Sequence, residues 1–193
     1  VALPGPDQAA GNTVRARAAD ILRPAGALQR FDELAAWMAE WQRTRLPAVT
    51  RPAALIFAAD HGVAAAGVSK YPIEVTGAML QAFRAQQSTV TAFAATIGAS
   101  VQAVDVGVGR PTGDIRVEPA LSAERFEECV VAGRAAVDAL DADLLVIGEM
   151  GIGNTTAAAA VAGALSGGEV TDWVGRGTGV DDVVTQLEAL RLA

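Results

Sequence analysis

An unbroken apolar run, Ala53-Ala54-Leu55-Ile56-Phe57-Ala58-Ala59, sits between Pro52 and the turn residues Asp60-His61-Gly62. It has the length of a strand and no polar face, so it predicts a strand buried on both sides. Strands of that kind belong to parallel sheets covered by helices. Two more runs repeat the pattern: Val101–Val106, ending in Asp105-Val106-Gly107, and Leu144–Ile147, feeding the glycine-rich segment from Gly148 to Asn154. Helical stretches lie between them, at about Ile73–Arg84, Ser88–Ile97 and Ser122–Leu140, the last opened by Ser122 with Glu124 in its first turn. An alanine-rich helix, Thr155–Leu165, follows the third strand. This alternation predicts an α/β fold, a doubly wound and mostly parallel sheet with flanking helices. Residues 1–50 read as a helical N-terminal region. Its apolar stripe runs through Leu28, Phe31, Leu34, Ala35, Met38 and Trp41, with Trp37 and Trp41 as packing residues.

Composition narrows the function classes. With 51% hydrophobic and 19% charged residues in 193, the chain can bury a core and is not disordered. A net charge of −7 gives no basic footprint for a nucleic-acid backbone. The most apolar stretch, Ala157–Leu165, is nine residues, against the roughly 20 needed to span a bilayer. No signal-peptide pattern opens the chain, which does not begin with Met, and the cytoplasm is the expected compartment. The lone Cys129 excludes an internal disulfide and fits a reducing environment.

In doubly wound sheets the ligand sits outside the carboxyl ends of the strands. All three predicted strands end there in unusual segments. Gly148-Glu149-Met150-Gly151-Ile152-Gly153-Asn154-Thr155-Thr156 combines a tight turn with a helix start, whose backbone N–H groups and dipole suit a phosphate. The same residues also fit a plain strand-to-helix turn capped by Asn154 or Thr155. It is not a P-loop, because no Gly-Lys-Ser/Thr follows. A second glycine cluster, Gly175-Arg176-Gly177-Thr178-Gly179, reads either as anion-binding backbone with Arg176 as a clamp or as a surface turn capped by Asp181. His61 is the only histidine, which excludes a histidine metal cluster; beside Asp60 it reads first as a structural hydrogen-bonding residue. Tyr71 and Met79 fit either the wall of a slot for a flat aromatic ligand or the core.

Taken in order, Ala58-Ala59-Asp60-His61-Gly62-Val63, Gly67-Val68-Ser69 with Tyr71-Pro72, Val75-Thr76, Asp105-Val106-Gly107-Val108, Gly148 through Thr156, and Val174 through Gly179 with Asp181-Asp182 resemble one family closely. It is the nicotinate-nucleotide–dimethylbenzimidazole phosphoribosyltransferase family, which makes the lower-ligand nucleotide of cobalamin. Leu22-Arg23-Pro24-Ala25-Gly26-Ala27-Leu28 is similar to the family's Lys-Pro-Pro-Gly-Ser-Leu segment, with substitutions. The resemblance implies phosphoribosyl transfer from nicotinate mononucleotide to 5,6-dimethylbenzimidazole or a related base, without metal or cofactor, by a homodimer. It implies phosphate and ribose contacts at Gly151, Ile152, Gly153, Asn154, Thr155, Thr156, Gly175, Arg176, Gly177 and Thr178. Asp60, His61, Tyr71 and Met79 would border the base, and Glu149 would have a secondary catalytic role or orient its loop.

The family's principal catalytic glutamate lies in an Arg-Leu-Gly-Glu-Gly-Thr-Gly segment, which does not occur in these 193 residues. Gln186 and Glu188 stand where the family has a basic residue. The expectation is therefore a nucleotide-binding lobe, residues 51–193, incomplete at its C-terminal end. The alternative is a non-catalytic protein of the same fold that binds a nucleotide or α-ribazole.

Overall fold

A computed structural model describes residues 4–175. The chain divides into two compact units, Val1–Thr50 and Arg51–Ala193. The first holds α1 (Gln8–Ala19) and α2 (Gln29–Gln42). Asp7 caps α1, its side chain accepting from the N–H groups of Ala9 and Ala10. The helices meet through Ala36, Ala39 and Glu40 of α2, which are buried, and Gly11 of α1. A Cβ at Gly11 would lie 2.3 Å from Glu40 Oε1, so this glycine makes room for the carboxylate, which Arg15 meets at 2.7 Å.

The buried face of α2 is thus not the predicted stripe. Leu28, Phe31, Leu34, Trp37 and Trp41 are exposed, and the tryptophans are about half accessible instead of packed. The segment Leu22–Leu28 forms the turn between the helices and borders a cleft of about 440 Å³, where Arg23 donates to Asp32.

Among the described residues the second unit carries three parallel strands, β1 (Pro52–Ala59), β2 (Ser100–Gly107) and β3 (Leu144–Met150), in the order β2-β1-β3. After β1 come a short 3₁₀ helix (Gly62–Ala66), α3 (Glu74–Arg84) and α4 (Thr89–Thr96). Between β2 and β3 runs α5 (Ala123–Asp138); after β3 come α6 (Asn154–Ser166) and α7 (Val170–Trp173). The predicted cap is present, Ser122 Oγ accepting from the Arg125 N–H at 3.2 Å. The chain steps from β1 to β2, then crosses back past β1 to β3. Such crossovers are right-handed, so the reversal sends α3 and α4 to one face of the sheet and α5 to the other, as the doubly wound reading requires.

The central strand carries the core. Ala53, Ala54, Leu55, Ile56 and Ala58 are buried, in keeping with a run that has no polar side chain. On α3 the buried positions are Thr76, Leu80 and Phe83, four and three residues apart on one face.

β3 is longer than predicted. Gly148, Glu149 and Met150 continue the ladder opposite Ile56, Phe57 and Ala58 instead of starting the loop. A Cβ at Gly148 would lie 3.3 Å from Ile56 Cγ1, so that glycine serves close strand packing and not a turn. Glu149 therefore projects from a strand. Among the described residues no helix is long and apolar enough to cross a membrane.

Candidate active site

The strand order fixes where a ligand can sit. With β2 and β3 on opposite sides of β1, the strand order reverses at β1, and in open α/β sheets such a reversal puts the ligand outside the carboxyl ends of the strands beside it. Asp60-His61-Gly62 leaves β1 there, and Gly151-Ile152-Gly153 leaves β3.

The loop after β3 is held from three sides. The Ile152 N–H donates to Thr76 Oγ1 on α3 at 3.1 Å, in a fully buried contact. Gly151 meets the end of β1, where a Cβ would lie 2.3 Å from the Ala59 carbonyl oxygen and 2.8 Å from the His61 ring. Gly153 has φ +91, the left-handed region that favours glycine, and sits against Val63 and Ala64 of the 3₁₀ helix. From this anchored turn α6 starts without a side-chain cap from Gly153. Its alanines favour the helix, and its amino end, where the Asn154 N–H donates to the Gly151 carbonyl at 3.0 Å, carries the positive end of the dipole.

Thr76→Val is expected to destabilise the protein by about 1–3 kcal/mol, because the Ile152 N–H is left buried without its acceptor. Thr76→Ser should retain most of that stability. Denaturant unfolding of the two variants checks this, and equal losses in both would exclude the hydrogen bond as the cause.

At this end of the sheet three side chains converge. Asn154 Nδ2 donates to Glu149 Oε2 at 2.5 Å, and Asn154 Oδ1 accepts from the Thr155 N–H at 2.7 Å. His61 Nε2 stands 3.7 Å from Glu149 Oε1. Glu149 is half exposed and His61 is mostly buried. Gly151, Ile152, Gly153 and Thr156 are buried, while Asn154 and Thr155 reach partial exposure. The accessible part of the predicted phosphate segment is therefore its Asn154–Thr155 end. The Ile152 N–H is already donated inward.

The predicted base-binding residues divide. His61 joins the cluster. Asp60, buried at the end of β1, has Oδ2 accepting from the Gly109 N–H at 2.7 Å, and its own N–H donates to the Gly107 carbonyl at 3.3 Å. It ties β1 to the loop after β2. Tyr71 is exposed, Met79 is half-buried on α3, and neither joins the Glu149 cluster by a hydrogen bond among the described residues. Gly175 lies at the limit of the described residues, and Arg176, Gly177 and Thr178 fall outside them, as do Asp181, Asp182, Gln186 and Glu188.

The loop after β2 is itself rigid. Asp105 Oδ1 accepts from the Gly107 and Val108 N–H groups, both at 2.9 Å, and Thr112 Oγ1 accepts from the Gly62 N–H at 3.1 Å. Hydrogen bonds from Arg116 hold the Asp114 carboxyl below its ordinary value. A cleft of about 390 Å³ lies between this end of β2 and α5. Its charges are matched: Glu128 faces Arg110 at 3.5 Å and Arg125 at 3.7 Å, and Arg125 donates to the Val106 carbonyl. A cleft whose charges are balanced in this way is a poor anion site. Cys129 borders the cleft, its thiol 3.9 Å from the same carbonyl.

Thr76, which holds the loop after β3, is the residue whose role sequence reasoning left unassigned. Its signal was a hydroxyl at a position where helical spacing demands an apolar side chain.

Known proteins share the sequence and the fold of this chain. The family model described as Phosphoribosyltransferase matches residues 3–189. The nicotinate-nucleotide–dimethylbenzimidazole phosphoribosyltransferase of Cereibacter sphaeroides (strain ATCC 17025) is 44% identical over 192 residues, covering 100% of this chain and 56% of that protein. Its counterpart in Ruegeria pomeroyi is 45% identical over 181 residues, covering 94% and 54%. The crystal structure of CobT from Thermus thermophilus superposes with a TM-score of 0.88 at 36% identity, over 96% of this chain and 62% of that one. The chain spans about half the length of the curated relatives it matches. Order of motifs, sheet topology and these likenesses agree: the chain belongs to the nicotinate-nucleotide–dimethylbenzimidazole phosphoribosyltransferase family.

Proposed function

We propose that the protein transfers the phosphoribosyl group of nicotinate mononucleotide to 5,6-dimethylbenzimidazole or a related azole, giving α-ribazole 5′-phosphate and nicotinate. The observation that carries this reading is the convergence of Glu149, Asn154 and Thr155 at the amino end of α6, outside the carboxyl ends of β1 and β3.

In this reading the 5′-phosphate lies at the α6 amino end, held by backbone N–H groups and by Asn154 and Thr155. The segment Gly175–Thr178 adds ribose and phosphate contacts, and residues 51–193 act as the nucleotide-binding lobe. The C–N glycosidic bond breaks with its electron pair going to the cationic pyridine nitrogen, which becomes neutral as nicotinate leaves with its carboxylate still charged. One azole nitrogen attacks the anomeric carbon from the opposite face, with inversion. The second azole nitrogen then carries a proton that a base must accept. Glu149 is the carboxylate of these residues placed to assist. The principal base is the glutamate that the family resemblance puts in a further segment. A symmetric homodimer in the cytoplasm completes the proposal.

The test is an assay of the protein expressed from its natural reading frame, with nicotinate mononucleotide and dimethylbenzimidazole. Equimolar nicotinate and α-ribazole phosphate are the expected products. Binding of both ligands without product would replace this reading with that of a non-catalytic binding protein.

A further inference from the structure

We infer that His61 is a positioning residue for Glu149, an inference that rests on the transferase reading above and gives this histidine a role other than walling the base. Its imidazole is held in place. The side chain is 19% exposed, and its edge lies so close to Gly151 that a Cβ there would be 2.8 Å from both Cδ2 and Nε2. Its carbonyl accepts from the Ala64 N–H at 3.0 Å, fixing the backbone at the start of the 3₁₀ helix.

The direction of the ring follows from that packing. Nε2 is buried, has no hydrogen-bond partner among the described residues, and faces Glu149 Oε1 at 3.7 Å. The other carboxylate oxygen, Oε2, accepts from Asn154. One nitrogen therefore bears on each oxygen, and the carboxylate plane has a defined orientation. A half-exposed glutamate without such partners would sample several rotamers and lose that direction. At 3.7 Å the contact with His61 is too long for a hydrogen bond, so it supplies orientation and not proton transfer. Among the described residues the charged group facing the imidazole is Glu149 from β3; the sequence neighbour Asp60 is engaged by the Gly109 N–H through Oδ2.

A positioning residue and a wall of the base site make different kinetic signatures. In the protein expressed from its natural reading frame, His61→Ala is expected to lower kcat about tenfold, with both KM values within about twofold. His61→Gln, whose amide nitrogen reaches the place of Nε2, should recover most of that loss. In a Glu149→Gln background the His61→Ala change should cost less than about twofold, because its target is already gone. A loss that persists in that background, or one confined to KM for the azole, overturns the inference.

A second readout needs no turnover. The imidazole ¹H–¹⁵N signal of His61, assigned by its absence in His61→Gln, is expected to shift at fixed pH when Glu149 becomes Gln. An unchanged signal overturns the inference. A shifted signal from a protein that forms no α-ribazole phosphate leaves the pairing standing and removes only the transferase reading.

Discussion

Alanine at position 151 is expected to lower both the stability of the protein and its turnover. The added Cβ would sit 2.3 Å from the Ala59 carbonyl oxygen and 2.8 Å from the His61 ring, one a backbone atom and the other a buried imidazole. Neither is the free end of a flexible chain, so the loop leaving β3 must move away from β1. Gly151 is absent from the positive-φ positions, so the penalty is one of space and not of backbone conformation. Overpacking of this kind costs about 1–3 kcal/mol, and a backbone clash belongs at the upper end. The displaced loop carries Asn154 and Thr155 with it, and a shift near 1 Å at a reacting centre costs about a hundredfold in rate. Denaturant unfolding and kcat/KM on the protein from its natural reading frame check both effects. Gly133→Ala in α5, where nothing lies within 4 Å of the added atom, is the control. Better helix propensity should leave it neutral or more stable by up to about 1 kcal/mol. Wild-type stability and turnover in Gly151→Ala would mean that the close approach of β1 and the β3 loop has no functional weight.

The contrast between these glycines shows what the sequence made legible. The three strands and their shared edge could be read because apolar runs ending in Asp or Gly leave little choice of environment. Ser122 could be read as a cap because its chemistry is local. Gly148 misled the reading. Glycine next to a strand resembles a turn, but here it stays in the ladder and lets Ile56 approach. Whether a glycine serves a bend or a close contact depends on a partner distant in sequence, and no local pattern contains that partner.

The first unit departs for a related reason. Hydrophobic periodicity marked Phe31, Leu34 and Trp41 as the face of α2 that packs, yet the packed face is Ala36, Ala39 and Glu40. A buried carboxylate satisfied by Arg15 and seated over Gly11 has no signature in an apolar count. The loop leaving β3 and His61 at the end of β1 were legible as features of one sheet edge. The division of labour among them was not. That Ile152 points its N–H at Thr76, and that Asp60 ties down Gly109, are long-range pairings fixed only by the packing of α3 and of the loop after β2.

Glu149→Gln is expected to reduce kcat about a hundredfold, the lower range for loss of a general acid–base group. The substitution keeps size and shape. An amide oxygen can still accept from Asn154, which leaves the amide NH₂ facing His61, so the geometry of the loop survives while the negative charge and the proton-accepting oxygen are lost. With Glu149 half exposed at the end of an edge strand, the change in stability should stay within about 0.5 kcal/mol. That separation decides between the two roles open to this residue. If Glu149 only orients the loop, the glutamine variant holds the loop equally well and turnover changes little. If it assists in taking the azole proton, turnover falls while folding and nicotinate mononucleotide affinity are retained. Single-turnover rates with nicotinate mononucleotide and dimethylbenzimidazole, set beside an unfolding curve, make the measurement. A variant within twofold of wild type in that rate would remove Glu149 from the chemistry and leave it the role of orienting its loop.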